Sequence, residues 1–109
     1  LNMKKDEDKK YVCITDLMNK ARDIDNKSIK LSDVIKYPSS SLVIKSFLSS
    51  FGIDLKDEPV TLMVLKREGF AKRIGKGDGQ KWMIEFNLSF ILLFLAFGSL
   101  AYDLLYDNI

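Results

Sequence analysis

The sequence contains no histidine, which excludes histidine-based acid–base catalysis and histidine-ligated metals. Its single cysteine, Cys13, cannot close an intramolecular disulfide, as suits a reducing cytoplasm or nucleus. Neither sign of charge dominates: 17 Lys and Arg stand against 15 Asp and Glu, a formal +2. So small an excess does not by itself mark a nucleic-acid binder. What the chain does have is a globular composition. Its 109 residues are 47% hydrophobic, 29% charged and 11% aromatic, which supports one domain and argues against wholesale disorder. Leu1 and Asn2 precede Met3 and are set aside from the fold reading.

The distribution of charge says more than its sum. Residues 1–10 mix Lys4, Lys5, Lys9 and Lys10 with Asp6, Glu7 and Asp8, a polar leader expected to fray ahead of a single domain over 11–109. Residues 66–85 hold Lys66, Arg67, Lys72, Arg73, Lys76 and Lys81 against Glu68, Asp78 and Glu85. Beyond residue 85 there is no cation, only Asp103 and Asp107. Phe86–Tyr102 is uncharged for 17 residues, the lower limit of the ~17–25 that cross a bilayer. Asn87, Ser89, Gly98 and Ser99 dilute it, and its flanks, Glu85 and Asp103, are acidic. A buried helix pair broken near Gly98-Ser99 is therefore predicted over a membrane span. Leu88, Ile91, Leu92 and Leu95 fall on one side of the first helix, with Phe90, Leu93, Phe94 and Phe97 on the other. A helix apolar all round must be enclosed, and a second copy of the chain is one way to enclose it.

Elsewhere the pattern is local and mixed. Tyr11–Ile14 reads as a short strand ending at Thr15, the expected cap of a helix over Asp16–Arg22. Residues 23–28 form a turn-rich break, and Ser32 is the expected cap of a short helix that stops before Pro38. Ser39, Ser40 and Ser41 offer cap hydroxyls to a helix presenting Ile44, Phe47, Leu48 and Phe51, with Gly52 as its stop. Asp57-Glu58-Pro59 reads as a helix start and Gly69 as that helix's end. Phe70–Ile74 and Lys81–Phe86, joined through glycines 75, 77 and 79, read as a β-hairpin.

Nucleotide motifs and enzymatic sites find little support. A P-loop needs four residues between its first Gly and Gly-Lys-Ser/Thr; Gly69 and Gly75 enclose five, and Gly77 follows Lys76. A dinucleotide fingerprint would need glycine where Gln80 stands. Cys13 and Ser39–Ser41 have no histidine base, so a structural thiol and capping hydroxyls are the readings adopted. Asp23 and Asp25 lack a third ligand at EF-hand spacing. Trp82 is expected to anchor the hairpin to the core rather than to stack a base. No cofactor is implied.

A helix, a glycine and then a basic hairpin is the arrangement of a winged-helix domain, whose hairpin lies along a phosphate backbone. The run Gly75-Lys-Gly-Asp-Gly-Gln-Lys-Trp82, Asn87-Leu88 and Leu95–Tyr102 resembles the end of a KilA-N domain. Ile14-Thr15-Asp16-Leu17 is similar to that family's opening strand-to-helix step, and Leu31-Ser32-Asp33, Ser39-Ser40 and Phe47-Leu48 to its middle helices. The family's histidine falls near Glu85 or Phe86, its Gly-Thr step is replaced by Gly79-Gln80-Lys81, and its middle-helix Trp by Val34. The resemblance, over about residues 11–106, implies a winged-helix-like fold related to APSES domains, a viral or prophage origin, and DNA binding.

The expectation is thus an α+β, winged-helix-like small domain with a basic hairpin and an apolar C-terminal helix pair, binding double-stranded DNA without enzymatic activity. Lys72, Arg73, Lys76 and Lys81 are expected on phosphate, with Lys66 and Arg67 extending the patch. Ser39, Ser40, Lys45 and Ser46 are one option for a helix entering a groove. The alternatives are a homodimerisation or protein-interaction module using the apolar C-terminus, and a short membrane-anchored protein; a membrane partner is not expected. A reducing host cytoplasm, virus factory or nucleus is the expected compartment.

Overall fold

A computed structural model describes residues 9–106 of the chain. It is an α+β domain in which three antiparallel strands pack against helices. The strands are β1 (Tyr11–Cys13), β2 (Ala71–Ile74) and β3 (Lys81–Glu85), in the order β1-β3-β2. The register puts Val12, Ile84 and Ala71 in one cross-sheet row and Arg73 opposite Trp82. Because side chains alternate along a strand, those two rows share the face turned to the helices. Ile84 and Ala71 are buried there, while Arg73 lies further out, where the core ends. The polar leader expected over 1–10 falls mostly outside the described residues. Its last two members are engaged: the Lys10 carbonyl accepts from the Phe86 N–H (2.7 Å), and the Lys9 ammonium lies 4.7 Å from the Phe70 ring centre.

Strand β1 runs straight into α1 (Ile14–Asp25), which is longer than the pattern suggested. Thr15 is therefore inside the first turn and does not cap it; its hydroxyl accepts from the Trp82 N–H (2.9 Å), fastening α1 to β3. The helix ends at Asn26, whose φ of 55° gives the left-handed turn that asparagine tolerates. Helix α2 (Leu31–Lys36) has Lys30, not Ser32, at its cap position. Tyr37 is extended, as the residue before a proline must be, and Pro38 opens α3 (Pro38–Ser49). The serines expected to cap α3 do not: no side chain caps it, and Ser40 is buried in its first turn. Gly52 (φ 81°) and the Ile53 N–H returning to the Leu48 carbonyl (3.1 Å) stop it as expected. Helix α4 (Leu62–Arg67) begins later than Asp57-Glu58-Pro59, because the Thr61 hydroxyl supplies the cap by accepting from the Val64 N–H (3.1 Å).

The apolar C-terminus folds as α5 (Phe86–Phe97) and α6 (Leu100–Tyr106), parted at Gly98 (φ 65°). The acidic flank is the reason α5 starts where it does. Glu85 is buried, and its carboxylate accepts from the Leu88 N–H (2.9 Å) and the Asn87 side-chain amide (2.9 Å), a capping anion at the positive end of the helix. The buried Ser89 hydroxyl donates to the Ile84 carbonyl (3.0 Å). Helix α5 packs against α1, α2, α3 and α6 and buries Leu88, Leu92, Leu93 and Phe97. Its enclosure within one chain is incomplete: Phe94 is 54% exposed and Leu95 37%. No described helix is long and apolar enough to cross a membrane.

Gly75 is the most constrained glycine of the hairpin turn. Gly75 has φ 84°, and a Cβ there would sit 2.5 Å from the Gly79 carbonyl oxygen across a 3-10 turn over Gly77–Gly79. Gly75→Ala is expected to cost about 1–3 kcal/mol, since both the dihedral and the backbone contact oppose it. Chemical denaturation measures the loss; an unchanged midpoint would show that the turn relaxes freely.

Candidate nucleic-acid interface

Strand β2 is a sheet edge, and its last three residues, Lys72, Arg73 and Ile74, are exposed. Alternation splits the cations between the two faces of the ribbon. Lys72 lies with its ammonium 4.3 Å from the Tyr11 ring centre, on the outward face that also carries Lys81. Arg73 lies over the Trp82 ring at 5.3 Å, on the opposite face. Lys76 stands in the exposed loop between the strands. None of these three has a carboxylate partner among the described residues. The ring contacts orient the Lys72 and Arg73 stems without neutralising their charge.

The other expected contacts are arranged differently. Arg67 is not a free cation: two of its nitrogens grip the Glu58 carboxylate (2.6 and 2.8 Å), and its Nε donates to Glu68 (3.0 Å). The guanidinium fork suits this bidentate grip, and Arg67 in turn holds the Glu58 carboxyl below the ordinary carboxylate range. The arginine ties α4 to the segment before it and leaves the trio with a net negative charge. Lys81 is likewise paired, to Asp16 at 2.9 Å, and that ammonium lowers the Asp16 carboxyl. Lys45 on α3 donates to the Lys56 carbonyl (3.1 Å), so it clasps the 54–56 turn instead of joining the hairpin. Lys66 is exposed at the end of α4, which packs against β2, and so borders the hairpin's base. Among the four serine and lysine positions considered for a groove-entering helix, Ser40 is buried and unavailable.

The structure adds two cations that the linear pattern did not single out. A cleft of about 290 Å³ lies between one side of α1 from Thr15 to Arg22, the segment 28–31 and Trp82, with Arg22 and Lys30 in its walls. The left-handed turn at Asn26 brings those two together. Trp82 packs against the core as expected, and also lines this cleft. The chemistry on offer is electrostatic and stacking rather than nucleophilic. Cys13 is only partly buried, and burial together with the neighbouring Asp16 carboxylate raises its thiol pKa, so the neutral form prevails at pH 7. Among the described residues, no three His, Cys, Asp or Glu side chains gather to hold a metal ion, and Asp25 pairs loosely with Lys27 (3.9 Å). Compared with protein-family models, with curated proteins and with solved structures, the chain matches none.

Proposed function

We propose that the hairpin side of this domain binds double-stranded DNA through its phosphate backbone, in a winged-helix-like manner. One observation carries the reading. Lys72 and Arg73, on the two faces of the exposed edge strand, and Lys76, in the adjoining loop, have no carboxylate partners among the described residues, whereas the cations of α4 and β3 nearest to acids are neutralised. The sheet order β1-β3-β2, with the hairpin at its edge after α4, and the resemblance to KilA-N domains support the same reading. Edge lysines also keep a sheet from pairing with another sheet, so only binding itself separates the two roles. The contacts expected on phosphate are therefore narrowed to Lys72, Arg73 and Lys76, with Lys66 beside them. Changing the first three together to alanine is expected to abolish measurable duplex binding at moderate salt, while Arg67→Ala leaves it intact. Fluorescence anisotropy of a labelled duplex checks both.

A second reading, in which the C-terminal helices pair with another copy, is favoured by a strip of aromatic rings. Phe94, Tyr102 and Tyr106 are 54%, 59% and 47% exposed, and Phe86 and Phe90 adjoin them. Exposed aromatic clusters of this kind mark interaction surfaces more often than scattered single residues do. The two readings use opposite parts of the sequence and are compatible.

A further inference from the structure

We infer that the cleft beside the hairpin receives one unpaired nucleotide of a DNA strand held on β2, its base against Trp82 and its phosphate between Arg22 and Lys30. The inference rests on the DNA reading above and specifies the form of DNA. Three observations lead to it. The lining holds two cations and no acid, and neither Arg22 nor Lys30 has an ion-pair partner among the described residues. Arg73 adds a third cation, over the very ring that forms the cleft's aromatic wall. The rest of the lining grades from the apolar Met18 and Leu31 to the amide of Asn19 and the hydroxyl of Ser28. An aromatic wall, an apolar floor, two polar side chains and an uncompensated positive rim match a planar base bearing a phosphate.

Size and position choose between a free nucleotide and a strand. At about 290 Å³ the cleft lies at the small end of ligand sites, room for one nucleotide unit and not for a dinucleotide. Arg73 stands on the exposed edge of β2 and contacts the ring of Trp82, which itself lines the cleft, so a backbone held on the hairpin passes next to the opening. A paired base cannot reach Trp82, because its faces are covered by its neighbours in the stack. An overhanging or frayed base can.

Trp82 is the chain's sole tryptophan, so its fluorescence reports the cleft and the Arg73 contact beside it, and the blunt duplex supplies the reference for the latter. The test titrates the protein with a blunt duplex, with the same duplex carrying a three-nucleotide single-stranded overhang, and with free deoxynucleoside monophosphates. The overhang is expected to quench Trp82 and to bind between about fivefold and a hundredfold tighter than the blunt duplex, the range that base–aromatic stacking supplies. Arg22→Ala with Lys30→Ala, both exposed positions, should bring overhang affinity down to the blunt value. Equal affinity for blunt and overhanging duplexes, without quenching, overturns the inference and leaves duplex binding standing. Overhang binding without blunt binding overturns the duplex reading and keeps the cleft. Quenching by free monophosphates at the concentrations that work for the overhang overturns the assignment to a strand.

Discussion

Replacing Phe70 with alanine is expected to lower the unfolding free energy by about 3–5 kcal/mol, the range for deleting a fully buried phenylalanine. Phe70 is 1% exposed and meets Phe47 and Phe51 of the α3 end edge-on, at 5.6 and 5.3 Å between ring centres. Its backbone is equally committed: the N–H returns to the Leu65 carbonyl (2.8 Å), and its own carbonyl accepts from the Glu85 N–H (2.9 Å). One residue thus joins the end of α4, the base of the hairpin and the start of α5. Domains of this size are stable by only ~5–15 kcal/mol, so the variant should lose at least about a fifth of its margin. Phe51→Ala, at a residue 38% exposed, should cost clearly less. Urea denaturation of the three proteins checks the order, and a loss below about 1 kcal/mol at Phe70 would show that the aromatic cluster is not the joint described.

Adjacent positions on α5 should behave in opposite ways. Leu93 is fully buried, so Leu93→Asp places a carboxylate among apolar side chains without a partner and is expected to cost more than about 4 kcal/mol, enough to prevent folding. Phe94 is 54% exposed, so Phe94→Asp should change stability by less than about 1 kcal/mol. If the aromatic strip joins two copies, that same substitution converts a dimer to a folded monomer. Sedimentation and thermal unfolding together give the answer. A dimer unaffected by Phe94→Asp would remove this face from the interface.

That Leu93 is buried and Phe94 exposed was not legible in the sequence pattern, and the cause is plain. Helix α5 is so rich in apolar residues that its periodicity carries no direction, and only the packing of α1, α2, α3 and α6 around it chooses the buried side. Features set by one or two neighbouring residues were legible: the stop at Gly52, the break at Gly98, the hairpin around Gly75 and the boundary at Pro38. Helix caps were legible in kind but not in place. Thr15 and the serines before residue 42 have capping chemistry, yet a strand entering α1 without a turn, and Pro38 opening α3, left those hydroxyls inside the helices. Long-range partners were not legible. Nothing local says that Tyr11 will stand opposite Glu85, that Arg67 will reach back to Glu58, or that Asp16 will take Lys81 out of the basic patch. Arg22 and Lys30 were invisible for the same reason, because the turn at Asn26 and a strand from the far end of the chain build their cleft.

The salt dependence of duplex binding tests the central claim most directly. Three phosphate contacts, from Lys72, Arg73 and Lys76, predict that log K falls against log salt with a slope of about −3, each neutralised phosphate contributing about −0.9. The same slope is expected for Arg67→Ala, whose guanidinium is already spent on Glu58 and Glu68. With all three hairpin cations changed to alanine the slope should fall close to zero, together with the affinity at low salt. An unchanged slope in that variant, or no duplex binding by the wild-type protein at low salt, would contradict the account.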